Sequence, residues 1–200
     1  MTATIGVLAL QGDVREHARM LDDCGAQAVK VRTPKDLAAV AGLIIPGGES
    51  TTIGMLIRRN ELEAPLRAAF AAGMPVLGTC AGMILLASEV LDGRADQLCL
   101  GAIDITVRRN AFGRQVDSFE AAVSIPALPG PPVAAVFIRA PWVERVGPEV
   151  EVLATVEASE SADRIVAVRQ GNAMATSFHP EVTDDHRFHA QLVSTVLEDA

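Results

Sequence analysis

The chain has 200 residues, a formal net charge of −8 and no run of like charges, which argues against nucleic acid and anionic membrane surfaces as main partners. Half of it is apolar, yet it holds no Tyr and one Trp, so Val, Ile, Leu and Ala must fill a core suited to a single α/β domain over 1–200. Cys24, Cys80 and Cys99 form neither a disulfide framework nor a CxxC or Cys/His zinc pattern. No apolar stretch approaches a membrane span, and strand-like sequence by Ile5 leaves no room for a signal peptide, so a reduced cytoplasm is the expected compartment.

Thr4 to Leu10 is a continuous apolar run, as a parallel strand buried on both faces would be, broken by Gln11-Gly12-Asp13. Val14 to Cys24 reads as a helix with Val14, Ala18 and Leu21 on one side, closed by Gly25. Ala28 to Val31 is a second strand, Pro34 to Ala39 a short helix or turn, and Leu43-Ile44-Ile45 a third strand stopped by Pro46-Gly47-Gly48. Thr51–Arg59 and Leu62–Ala72 read as helical segments, the second closed by Gly73. Pro75-Val76-Leu77 then leads into Gly78-Thr79-Cys80-Ala81-Gly82, and Met83 to Ala87 leads out as a helix. Strand and helix alternate through this half, which predicts a parallel, doubly wound sheet. The second half changes to strand candidates at 103–107, 121–125, 133–138, 152–157, 165–169 and 173–178, a proline-rich loop at 126–132, and a closing helix from Asp184 to Leu197.

Gly-x-Cys-x-Gly between strand and helix is the thiol counterpart of a nucleophile elbow. Its glycines permit the sharp turn, the helix N-terminus favours a thiolate, and the Ala81 N–H is placed to meet an oxyanion. The alternative is a buried structural cysteine. A nucleophilic cysteine needs a base, and the base needs an orienting acceptor. Ser177-Phe178-His179-Pro180-Glu181 follows a strand, where sites in such sheets gather, and supplies both, so Cys80, His179 and Glu181 read as a triad.

Gly47-Gly48 can turn N–H groups toward a bound oxygen, Ser50 can cap the following helix, and Glu49 suits a cationic α-amino group. An arginine of the basic stretch Arg108 to Gln115 can clamp a carboxylate, or the stretch is a solvated loop. Arg139, just past a strand, is either a site residue or a surface charge pairing with Glu144. Cys24 and Cys99 read as packing residues; His17, His186 and His189 read as surface or capping groups on the first and last helices.

Taken together, these motifs resemble the glutaminase subunit of pyridoxal 5′-phosphate synthase, within the class I glutamine amidotransferases. The resemblance runs nearly end to end, through Ile5–Gly12, Pro46–Thr52, Gly78–Gly82, Arg109–Glu120, Phe137–Pro141 and Ser177–Glu181. Most other class I glutaminases carry Gln four residues after the nucleophile; Ile84 at that position points to this subfamily. The resemblance implies a flavodoxin-like three-layer α/β/α fold, with a mostly parallel central sheet and added antiparallel strands. It implies hydrolysis of L-glutamine to glutamate and ammonia, with no cofactor or metal, by Cys80 as nucleophile, His179 as acid/base and Glu181 as its orienting partner. It places glutamine near Gly48, Glu49, Ser50, Arg109, Ile138 and Arg139, with Gly48 and Ala81 as the oxyanion hole. The implied partner is the synthase subunit, with twelve glutaminases around a synthase dodecamer, and Gln11 is the expected contact that reports docking. Two other readings remain: a cysteine-elbow stress protein, in which histidine commonly follows the cysteine where this chain has Ala81 and in which His179 and Glu181 would be idle, and a non-catalytic assembly subunit with Cys80 structural.

Overall fold

A computed structural model describes residues 2–109, 111, 118–158 and 162–199. The chain folds as β1 (Thr4–Leu8), α1 (Val14–Asp23), β2 (Gln27–Val31), α2 (Pro34–Leu37), β3 (Gly42–Ile45), α3 (Ser50–Arg59), α4 (Glu63–Ala71), β4 (Val76–Thr79), α5 (Ala81–Leu86) and β5 (Ala87–Leu91). It continues through β6 (Ile103–Arg108), β7 (Phe119–Val123), β8 (Val133–Phe137), β9 (Trp142–Val146), β10 (Glu151–Ala158), β11 (Ala162–Gln170), β12 (Ala173–Thr176) and α6 (Arg187–Glu198).

Ten strands form one sheet in the order β2-β1-β3-β4-β12-β11-β9-β6-β5, with β10 paired to β11. The run from β2 to β12 is parallel; β11 is antiparallel to β12, β10 and β9, and β9 to β6, so the sheet is mixed. Side chains along the parallel strands alternate between two apolar layers. Leu43 and Ile45 of β3, Val76 of β4 and Ala173 and Ala175 of β12 face α3, α4 and α5. Ile44, Leu77 and Met174, with Ile5 and Val7 of β1, face α1 and α6. Burial on both faces is why these strands read as unbroken apolar runs. Among the described residues no helix is long and apolar enough to cross a membrane.

β7 and β8 form a separate antiparallel ribbon lashed to the second layer by aromatic packing. Phe119 stacks on Phe137 at 4.6 Å between centroids, and Phe137, Phe178 and Phe188 meet edge-on at 5.7 Å in turn. The ribbon also reaches the segment after β12, where the His179 N–H donates to the Val136 carbonyl at 3.2 Å. Arg187 ties the start of α6 to the proline-rich loop through the carbonyls of Leu128 and Pro131, at 3.0 and 2.8 Å, while pairing with Asp185.

Several boundaries differ from the sequence reading. The first strand ends at Leu8, because the chain leaves the sheet before Gln11. The helix after the elbow spans Ala81–Leu86, and Ala87 opens a strand instead of closing the helix. The sequence pattern does not predict β5 and β9. Each is short and partly exposed, with charged residues interrupting the alternation that marks a half-buried strand, and each forms through its neighbours, β5 on β6 and β9 between β6 and β11.

Candidate active site

Four neighbouring strands, β1, β3, β4 and β12, end on the same edge of the sheet, and the segments leaving them build the site. Cys80 follows β4 with φ 49° and ψ −101°, a left-handed conformation that costs a non-glycine residue energy and persists only under constraint. The constraint is visible. The Cys80 N–H donates to Thr176 O of β12 at 2.8 Å, and the flanking glycines permit contacts that no side chain would allow. A Cβ on Gly78 would lie 2.7 Å from the Gly82 backbone, and one on Gly82 would lie 2.1 Å from the Ile45 carbonyl oxygen. Ala81, first residue of α5, has no earlier carbonyl in its helix to bond, so its N–H is available to a developing oxyanion.

His179 stands beyond β12, adjacent in register to the strand that carries Cys80. It is buried, and its Nδ1 donates to Glu181 Oε1 at 2.7 Å, with Asp13 Oδ2 behind at 3.5 Å. That leaves Nε2 for the nucleophile. Burial works to lower the imidazole's pKa. Asp13, Cys80 and Glu181 outweigh it, and the ring is held well above its ordinary value. Glu181 is also buried. Desolvation pushes its carboxyl up, but His17 and His179 together hold it far below the usual range. Asp13, His179 and Glu181 each offer one potential ligand atom, all within 4.8 Å of one another.

The turn after β3 packs on this centre. A Cβ on Gly47 would lie 2.4 Å from the His179 ring, and one on Gly12 would lie 1.8 Å from the Gly47 carbonyl oxygen. That carbonyl is therefore turned onto Gly12. Across a trans peptide the Gly48 N–H points the opposite way. Gln11 Oε1 accepts from the Glu49 N–H at 2.9 Å and lies against Gly48, so the expected docking residue is bound to the turn that carries the expected oxyanion donor.

Gly48, Glu49, Ser50, Cys80, Ala81, Ile84, Arg109, Ile138 and Arg139 line one cleft. Every substrate residue expected from the sequence is therefore brought beside the nucleophile. Arg109 donates to Glu49 Oε1 at 2.8 Å and to Gln97 Oε1 at 3.2 Å. Partial burial raises the Glu49 carboxyl, but Thr51, Arg109 and Arg139 hold it below its usual value. Arg139 has φ 46°, which turns the chain into the cleft; its suggested partner Glu144 is instead occupied by Arg108 at 2.5 Å and Trp142 Nε1 at 2.8 Å. The expected cap also shifts by one residue. Glu49 caps α3 by accepting from the Thr51 N–H, and Ser50 lies within the helix with its hydroxyl on Gln97. Of the basic stretch, 110 and 112–117 lie outside the described residues.

Sequence reasoning missed Asp13, Gln97, His17 and His189. The two histidines are fully buried, not surface or capping groups. Their positions carried a signal. His17 precedes Met20 and Leu21 at helical spacing, and His189 precedes Leu192, Val193 and Val196, so each lies on the inner face of its helix. His186 occupies the N-cap position of α6 without a side-chain capping bond and contacts Asp23 at 3.3 Å.

The SNO glutamine amidotransferase family profile matches residues 7–198. Pyridoxal 5′-phosphate synthase subunit PdxT of Salinispora tropica is 62% identical over 98% of both chains. The protein of the same name from Rhodococcus opacus is 60% identical over 96% of both. A solved glutamine amidotransferase structure, 46% identical, superposes with a TM-score of 0.87 over 96% of this chain and 98% of that one. Another glutamine amidotransferase structure, from Thermotoga maritima and 12% identical, shares the fold with a TM-score of 0.63 over 100% of this chain and 84% of that one.

Proposed function

This chain belongs to the SNO glutamine amidotransferase family, and from that membership we propose how its site works. The protein is a glutaminase subunit that supplies ammonia for pyridoxal 5′-phosphate synthesis. Cys80 Sγ attacks the γ-carboxamide carbon of L-glutamine, and the oxyanion takes N–H groups from Ala81 and Gly48. His179 passes its Nε2 proton to the departing nitrogen, and ammonia leaves. Water then gives a proton to His179 and attacks the γ-glutamyl thioester; glutamate leaves, and the cysteine sulfur is freed beside a His179 that again carries its Nε2 proton. Glu181 holds His179 in the tautomer this requires.

The Glu49–Arg109 pair supports the substrate reading. An amino acid presents a cation and an anion on one carbon, and an ion pair at the cleft wall can exchange its internal contact for both. Arg109 then takes the α-carboxylate and Glu49 the α-ammonium, while Ser50, Ile138 and Arg139 bound the chain. We assign residues 1–200 to one domain of the flavodoxin-like three-layer class. The order β2-β1-β3-β4-β12 in its parallel part supports that class. The assembly in this reading is twelve glutaminases on a synthase dodecamer in the cytoplasm, with Gln11 reporting docking.

One observation carries the catalytic reading. A strained cysteine is fixed against a buried imidazole whose far nitrogen rests on a buried carboxylate at 2.7 Å. The test is glutamine hydrolysis by the complex with synthase, comparing wild type with Cys80→Ala and His179→Asn. Loss of turnover in both, with assembly retained, is expected. Wild-type turnover in either would overturn the triad.

A further inference from the structure

The polar line does not stop at Glu181. His17 Nε2 lies 3.4 Å from Glu181 Oε1 and 3.1 Å from Thr79 Oγ1, and His17 Nδ1 lies 2.9 Å from His189 Nε2. One buried chain, His179–Glu181–His17–His189, therefore crosses from the sheet edge through α1 into α6. Burying two imidazoles on otherwise apolar helix faces carries a desolvation cost that leucine would not.

The available donors and acceptors fix the tautomers along this line. A carboxylate only accepts, so a hydrogen on His179 Nδ1 meets Glu181, and a hydrogen on His17 Nε2 is shared between Thr79 Oγ1 at 3.1 Å and Glu181 Oε1 at 3.4 Å. With a hydrogen on His17 Nε2 and none on Nδ1, His189 donates to His17 Nδ1 from its Nε2 across 2.9 Å. His189 Nδ1 is left as a bare lone pair, and it is one of the buried atoms with no partner among the described residues. The opposite arrangement would strand an N–H there, the costlier orphan. Glu181 Oε2 has no partner among the described residues, so His179 and His17 both approach the carboxylate at Oε1, at 2.7 and 3.4 Å.

We propose that His17, with its tautomer set by His189, is the positioning residue that holds the Glu181 carboxylate against His179. This rests on the triad reading above. The charged and titratable groups facing the chain are Asp13 and Cys80 at His179, and His186 near His189; burial and the neighbouring histidines push His189 down to about 3, consistent with a neutral donor.

The experiment uses the complex with synthase and four variants: His17→Phe, His17→Gln, His17→Asn and His189→Leu, with Cys80→Ala as control. A glutamine amide nitrogen falls near the position of ring Nε2, and that of asparagine near Nδ1. His17→Phe and His17→Asn should lower kcat by roughly 10- to 100-fold, as loss of an orienting partner does, with KM unchanged. Their low-pH limb should move to higher pH, because Glu181 loses a donor that favours its ionised form. The downfield His179 imidazole N–H signal should weaken. His17→Gln should recover most of the rate, and His189→Leu should lose several-fold. Equal rates in His17→Gln and His17→Asn would show that the donor position is irrelevant and overturn the proposal, as would wild-type kcat and pH profile in His17→Phe. Should His17→Phe fail to fold, the Gln and Asn pair decides alone. An inactive Cys80→Ala beside an unimpaired His17→Phe sinks this proposal only; an active Cys80→Ala sinks the triad itself.

Discussion

Cys80 is distinguished from the other two cysteines by its surroundings. Burial and Asp23 push the Cys24 thiol up, and burial pushes Cys99 up, whereas Cys80 faces an imidazole held protonated. A glutamine-like diazo-ketone should therefore label Cys80 alone, with the adduct located by mass spectrometry; equal labelling of all three would refute an activated Cys80. Glu181→Gln should lose less turnover than His179→Asn, since Glu181 orients and stabilises the ring that moves the proton. His189 adds a pH signature. It titrates at about 3 in the folded protein against 6.5 ordinarily, so the unfolded chain binds more protons between those values. Its contribution is full above pH 6.5 and falls as pH drops toward 3, by an amount on the order of a few kcal/mol. Urea midpoints measured over that range should fall less steeply for His189→Leu than for wild type; parallel slopes would contradict a neutral buried His189.

The elbow works as an element because β3, β4 and α5 approach through glycines. Gly82→Ala would place a methyl 2.1 Å from the Ile45 carbonyl oxygen, and neither backbone can move without the other. Such overpacking costs about 1–3 kcal/mol. We expect a lower urea midpoint and a lower kcat together, because the displaced helix carries the Ala81 donor. A fall in stability with kcat intact would show that the oxyanion donor lies elsewhere. Gly12→Ala offers a separate probe. At φ 107°, its methyl would meet the Gly47 carbonyl at 1.8 Å and displace the turn that rests on His179, so turnover should fall while the distant α6 packing stays intact.

At the scale of the whole molecule, the cleft proposed to receive glutamine carries its own ion pair in its wall, and Gln11 holds the adjoining turn. Nothing in the described residues consumes ammonia, so hydrolysis by the free chain would waste glutamine. The isolated subunit should be a weak glutaminase that synthase activates by favouring the state with the oxyanion donor inward. One such donor is worth on the order of 10²–10³ in rate. The check is turnover at saturating glutamine with and without synthase, for wild type and Gln11→Ala. Full activity in the free chain would exclude the switch; an unaffected Gln11→Ala would move the contact elsewhere. Arg109→Ala and Arg139→Ala should raise KM more than they lower kcat, and the reverse would give them a transition-state role.

The sequence by itself determined the parallel half of the sheet and the glycine elbow, and it pointed to the triad and cleft residues that the fold brings together. Each of these is written locally: apolar runs for strands buried on both faces, glycines where backbones meet, a histidine and a glutamate two residues apart. It could not determine what lies opposite what. β5 exists through pairing with β6 and β9 through pairing with β6 and β11, and their own residues carry no clear alternation. The second half of the sheet is mixed for the same reason, since strand direction is set by which neighbour each strand finds. His17 and His189 sit 172 positions apart and meet only because α1 and α6 pack on the same face of the sheet. Helical spacing could place each on an inner face, but only the tertiary structure brought them together behind Glu181. A buried polar group takes its meaning from its partner, and that partner is chosen by the packing of whole elements.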